Sequence, residues 1–207
     1  MTTPPVASPT RRNGEATRQR LLRAGLDLYT TVGFRGTTTP AIAARAAVAE
    51  GTIYRHFSSK EHLLNEVYRG AQKWALGLVK DTEEADRTLP APERLGRLAR
   101  RFFESADRDP AAFRMLLFTD DGKVLDDRSR EQAREFREAL QLVMASGKSD
   151  GAIRAGPAEL WSSVWLALVA FAVEKVASRE WTVDHPHLSV VLDAAWDAIA
   201  LRATPAP

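Results

Sequence analysis

Gly51–Leu63 reads "GTIYRHFSSKEHL". A threonine, a tyrosine, an arginine and a histidine are crowded into one or two helical turns, and a capping signal follows at once. The stretch offers no wide apolar face. Its core contact is limited to about Ile53 and Phe57, which leaves Thr52, Tyr54, Arg55 and His56 free for another surface. The question is what that surface is.

The neighbours on either side answer it. Upstream, "TTTPAIAARAAV" (residues 37–48) supplies threonines as N-caps, a proline tolerated in the first turn, and an Ile42/Ala43/Ala46 apolar edge. Val48 restarts the core after a break near Ala47. Two short helices, Thr38–Ala46 and Glu50–Phe57, therefore flank a three-residue turn. A preceding helix carries Leu21, Leu22, Gly25, Leu28, Tyr29 and Val32 at helical spacing and stops at Gly33. A following helix opens on a Ser58/Glu61 capping box and carries Leu63, Leu64, Val67, Trp74, Leu78 and Val79 to about residue 80. This is helix-turn-helix spacing. In such a motif the second helix enters the DNA major groove while the first crosses the phosphate backbone. The short helix is polar because a duplex is its other packing partner.

From about Glu15 to Leu78 the chain resembles the TetR family of transcriptional regulators. The resemblance rests on the first-helix pattern, Gly33-Phe34, the threonine-rich cap, Ile42-Ala43 and the "GTIYRHF-SSKE" ending. Two positions depart from the family pattern. Ala47 stands where the turn usually carries glycine, and Pro40 where a polar residue is more usual. If the turn needs a left-handed backbone, alanine there costs on the order of 1 kcal/mol. The resemblance implies that Thr38 caps the first helix of the motif and aims its amides at a phosphate. It implies backbone anchors at Tyr54, His56 and Lys60, and base-edge or nearby phosphate contacts from Thr52 and Arg55. Glu50 accepts from cytosine or repels the wrong approach, and Arg11 and Arg12 reach DNA from a flexible arm.

Composition agrees. The net charge is only +2, but Arg11–Lys73 carries 11 Lys/Arg against 5 Asp/Glu, a local balance of +6 that leaves −4 for the remainder. A basic front and an acidic back suit a polyanion partner for the first third. No cysteine is present, which excludes disulfides and thiolate metal sites. The amino-terminal residues lack the hydrophobic core of a secretory signal. No apolar run of about 20 residues stands out, so no membrane span is expected. The expected location is cytoplasmic.

Further helical patterns fall at about 92–107, 110–118, 127–146, 157–178 and 187–202, for about nine helices and an all-α fold. The expected organisation has a disordered arm over 1–13 and a helix-turn-helix DNA-binding domain over 14–75, with the motif at 38–57. A helical ligand-binding and dimerisation domain follows over 76–203, then a loose tail over 204–207. One recognition helix contacts few base pairs, so a two-fold dimer on a palindromic operator is expected. The last two helices are apolar over more than one face, and in the family they pair with their mates. Trp165, Leu168, Phe171, Leu192, Trp196 and Ile199 are the expected interface. Trp74, Phe102, Phe103, Phe113, Phe118, Phe136, Trp161 and Trp165 are available to line a pocket for a small hydrophobic effector, although plain core packing accounts for any one of them. An effector would favour a state in which helix 61–80 swings, lowering operator affinity by its differential affinity for the two states.

Other chemistry is weaker. "TDDGKVLDD" (residues 119–127) gathers four aspartates, but Val124 breaks any Asp-Asp-x-x-Asp spacing, and a solvated loop explains the stretch. "DHPH" (residues 184–187) holds two of the four histidines with no further ligand at a readable spacing. No metal, cofactor or catalytic residue is expected. The expectation is a DNA-binding regulator, a repressor before an activator. The rival is an all-α ligand-binding protein or enzyme whose basic amino-terminal region is structural.

Overall fold

The computed structural model describes residues 9–119 and 123–201. Among them lie nine α-helices: α1 (Pro9–Thr31), α2 (Thr39–Arg45), α3 (Ile53–His56), α4 (Lys60–Ala85), α5 (Ala91–Arg108), α6 (Pro110–Leu116), α7 (Asp127–Ser149), α8 (Ala158–Ala177) and α9 (Pro186–Asp197). One turn of 3-10 helix, Glu50–Thr52, runs directly into α3. The only extended pairing among the described residues is an isolated antiparallel bridge between Ile153 and Ala200.

The chain divides into two compact units. The first comprises residues up to Tyr68 together with Phe118–Ser129, and the second comprises Arg69–Leu117 and the residues from Arg130 onward. The division thus falls earlier than residue 75, and the first unit takes in a segment from far along the chain.

The first unit buries Leu21, Ala24 and Tyr29 of α1, Ile42 and Ala43 of α2, Ile53, Phe57, and Leu63, Leu64 and Val67 of α4. A Cβ at Gly25 would lie 3.3 Å from Leu63 Cδ2 and 3.3 Å from Tyr29 Cε2, so glycine allows α1 and α4 to meet closely. Burial, and secondarily the charge of Glu61, push the Tyr29 phenol well above its ordinary range. It stays protonated and donates to the Lys60 carbonyl at 3.1 Å. Helix α1 begins at Pro9, so residues 9–13, expected in a disordered arm, are helical. Proline fits a first helical turn, and Thr10–Asn13 contains no breaker. Residues 1–8 of that arm and the expected tail at 204–207 lie outside the described residues.

The second unit is organised around α5 and α8. Leu95, Leu98, Ala99, Phe102, Phe103 and Ala106 bury one face of α5. Helix α8 packs on α5, α6 and α9. By length and composition α8 is apolar enough to cross a membrane, contrary to the reading of the sequence. Its inner face, however, buries Trp165, Val169, Ala172, Val173 and Val176 in the core of this unit. Helix α9 ends at Asp197 rather than near 202. Ile199 turns into the core, Arg154 N donates to Ile199 O at 3.0 Å, and Leu201 N donates to Ala152 O at 2.8 Å. Pairing with the α7–α8 connection replaces the last helical turn.

Candidate nucleic-acid interface

The turn between α2 and the recognition element is set by one backbone conformation. Ala46 is the C-cap of α2, and Ala47 follows with φ +52°. Val48 N donates to Ala43 O at 3.0 Å and Ala47 N to Ala44 O at 3.1 Å, which is the Schellman pattern of helix termination. The position does require a left-handed backbone, and alanine occupies it at a cost of about 1–2 kcal/mol. Arg20 Nη1 reaches the Ala47 carbonyl at 3.4 Å and braces the turn from α1.

At the start of α2, Thr38 is the N-cap, and its hydroxyl accepts from Ala41 N at 3.3 Å. Beyond the turn, Glu50–His56 rests on one buried side chain, Ile53, and on Phe57 just past its end. Glu50, Tyr54 and Arg55 are exposed, and Thr52 and His56 are half-buried. Tyr54 is 55% exposed, an unusual state for a ring of that size unless something else covers it. Among the described residues Arg55 has no hydrogen-bond or ion-pair partner, so its five donors remain available. Thr39, not singled out from the sequence, joins the two helices of the motif. Its hydroxyl donates to Glu50 Oε1 at 3.4 Å and accepts from Tyr54 Oη at 3.5 Å.

Two details differ from the sequence reading. The cap of α4 is shifted by one residue. Ser59 Oγ accepts from His62 N at 3.1 Å, and His62 Nδ1 accepts from Ser58 N at 3.1 Å, so His62 takes the place expected of Glu61. The imidazole nitrogen supplies the acceptor that a carboxylate ordinarily would. Lys60 is more inward than a pure phosphate anchor. Its ammonium donates to Phe34 O and Thr37 O, both at 3.0 Å, and lies 4.2 Å over the Phe34 ring. Two of its three donors thus close the end of α1, leaving one for a partner.

Internal pairing also lowers the free positive charge. Arg18 pairs with Glu66, while Arg23 and Arg45 both pair with Asp27, at 2.9 and 2.8 Å. On Glu50–His56 itself the exposed polar side chains are Glu50, Tyr54 and Arg55.

The residues expected to hold an effector fall into two groups. Trp74 packs edge-on against Phe102, with ring centres 6.0 Å apart, and Phe102 against Phe113 at 5.4 Å. Phe103, Phe136 and Trp165 are buried in the same core. Trp161 lies at its edge, its indole N–H donating to Ala155 O at 3.2 Å. Phe118 is separate: it belongs to the first unit, where it packs edge-on against Tyr68. A cleft of about 320 Å³ opens over Trp165, between α5 and α9, and is lined also by Leu95, Arg97, Arg100, Leu192 and Trp196.

Of the expected dimer residues, Trp165 and Ile199 are buried inside their own unit and have no surface to give. Leu168, Leu192 and Trp196 are half-buried, and Phe171 is 51% exposed. Leu160, Ala167 and Phe171 lie along one exposed stripe of α8, and Val190 and Ala194 are exposed on α9. Single-chain periodicity could not separate the inward from the outward residues of a helix that is apolar on both sides.

Comparison with known proteins fits this geometry. Residues 21–67 match the model of bacterial regulatory proteins of the tetR family. The HTH-type transcriptional repressor KstR2 of Rhodococcus jostii is 29% identical over 204 residues, covering 93% of this chain and 97% of that protein. The HTH-type transcriptional regulator UidR of Escherichia coli is 33% identical over 70 residues, 34% of this chain and 36% of UidR. In fold, the chain superposes on a TetR family transcription regulator from Marinobacter aquaeolei with a TM-score of 0.78 at 21% identity, covering 93% of this chain and all of that one. With its turn closed by Ala47 and with Tyr54 and Arg55 exposed beyond it, the stretch 21–67 is similar to bacterial regulatory proteins of the tetR family, and the chain as a whole is similar in sequence to a transcriptional repressor and in fold to a TetR family regulator.

Proposed function

We propose that the protein is a cytoplasmic, homodimeric repressor that binds a palindromic operator and is released from it by a small hydrophobic effector. The observation that carries the reading is the outward set Glu50, Thr52, Tyr54, Arg55 and His56 on a helix whose inward side is fixed by Ile53 and Phe57. Such a helix fits a major groove, and arginine is the commonest reader of guanine there. Repressor action is supported by a full-length relative named as one. Pairing is supported by the exposed Leu160–Ala167–Phe171 stripe of α8, an apolar face of the kind that marks a protein contact. An apolar effector is supported by the aromatic core of the second unit and the cleft over Trp165.

Selection of bound fragments from random duplex DNA tests the reading. The expected product is an inverted repeat whose half-sites lie about 34–36 Å apart or at a related helical repeat. Affinity for it should fall with salt at a log–log slope of about −0.9 per neutralised phosphate. A single non-repeated site, or a flat salt dependence, would overturn the dimeric operator model. Release is tested separately: apolar compounds that quench emission from the tryptophans of the second unit should weaken duplex binding in proportion to their occupancy.

A further inference from the structure

Between Asp27 and Glu61 the chain carries a single carboxylate, Glu50, among Arg35, Arg45, Arg55 and Lys60. Glu50 opens the 3-10 turn that leads into α3, and its side chain is exposed. Among the described residues no arginine or lysine pairs with it. A bare negative charge on a surface that meets phosphates weakens binding to every duplex. Its presence on the recognition element therefore calls for a compensating role.

The partners of Glu50 are hydroxyls. Tyr54 Oη donates to Thr39 Oγ1 at 3.5 Å, and Thr39 Oγ1 donates to Glu50 Oε1 at 3.4 Å. The three side chains form a relay in which each proton points towards the carboxylate. A phosphate oxygen that approached these two hydroxyls would meet lone pairs and a negative charge instead of donors. Both bonds are long for O–H···O contacts, and Glu50 and Tyr54 are exposed. A better partner at the Glu50 end can therefore take the relay apart.

The geometry points to Glu50 as a specificity-determining residue that withholds Tyr54 and Thr39 from phosphate until a base amino group claims its carboxylate. The inference rests on the operator-binding reading above. In the major groove cytosine N4 is the donor that a carboxylate takes. When Glu50 turns to it, Thr39 loses its acceptor, and both hydroxyl protons are free to point at phosphate oxygens. On a sequence with no such amino group in reach, the relay stays closed and the carboxylate repels the backbone. Acceptance from cytosine and repulsion of the wrong approach are then two halves of one device. A carboxylate that served only to stabilise the first turn of its helix would change folding and leave sequence discrimination alone.

A double-mutant cycle on the full chain separates these roles. Duplex anisotropy is read on a fragment selected from random DNA and on a scrambled duplex of equal length. Glu50→Ala should tighten binding to the scrambled duplex by about 5-fold or more. It should also reduce the ratio of selected to scrambled affinity by about 5- to 150-fold. Tyr54→Phe with Glu50 in place should reduce that ratio by about 5-fold, whereas in the Glu50→Ala background it should weaken both duplexes to the same degree. Unchanged affinity of Glu50→Ala for the scrambled duplex overturns the proposal, because Glu50 is then a plain base reader or a structural residue. Equal losses on both duplexes from Tyr54→Phe with Glu50 in place overturn it as well. Circular dichroism reports whether the variants fold. If Glu50→Ala does not, Glu50→Gln, which drops the charge and keeps the shape, is held to the same scrambled-duplex criterion. Failure of both to fold assigns the carboxylate to structure and overturns the proposal. A wild-type chain that binds neither duplex strikes the operator reading itself, and the role of Glu50 falls with it.

Discussion

Tyr54 and Phe171 are exposed to nearly the same degree, 55% and 51%, on helices of opposite character. Tyr54 sits on a four-residue helix beside Thr39, Glu50 and Arg55, and its hydroxyl already takes part in a polar network. Phe171 sits on a twenty-residue apolar helix, in line with Leu160 and Ala167, and packs edge-on against Trp181 at 5.8 Å. An exposed ring by itself says little. A phenol among donors suits a hydrated polyanion, whereas a bare phenyl in an apolar stripe suits another protein surface. Surface chemistry around the ring distinguishes the two partners.

Substitutions can break or sharpen this contrast. The largest effect is expected beneath the first ring. Ile53→Ala removes the single buried side chain of α3 and should destabilise the first unit by about 2–5 kcal/mol, read as an earlier unfolding transition by circular dichroism with loss of duplex binding. An unchanged transition would mean that the recognition helix does not rely on Ile53. Next comes the second ring: Phe171→Asp should cost pairing about 2 kcal/mol or more if the stripe is the centre of an interface. Light scattering at micromolar concentration would then report a shift from dimer towards monomer mass, and a wild-type chain already monomeric would remove the stripe from the argument altogether.

Arg55→Ala is expected to lose about 1–3 kcal/mol of duplex binding and to relax preference at one operator position. Uniform weakening across all sequences would reassign Arg55 to a phosphate. The smallest effect is a gain. Ala47→Gly relieves a left-handed backbone and should stabilise the first unit by about 1 kcal/mol, raising its melting temperature while leaving the selected half-site unchanged.

The helix-turn-helix was legible because each of its parts has a local signal. Thr38 caps, Ala47 breaks, and Ile53 and Phe57 alone face inward, so no distant contact was needed to place them. Lys60 was half legible. Its neighbourhood in the motif was apparent, but its two bonds to Phe34 and Thr37 carbonyls arise from tertiary closure of the α1 end. Helix α8 resisted reading for a different reason. A helix apolar all round gives no phase, so Trp165 and Phe171 looked alike in sequence although one is core and the other surface. Asn65 was invisible. A polar residue at a core position carries no mark of the partners that satisfy it, and these lie about 60 residues away at Val124 and Asp126.

The short pairing of Ile153 with Ala200 makes residues 198–201 a supporting part of the second unit. A stop codon placed just after Asp197 would spare every helix and still remove Ile199 from the interior, along with the strand-like partner of the α7–α8 connection. Trimming from this end is therefore not neutral, and a purification tag belongs downstream of Leu201 rather than in its place.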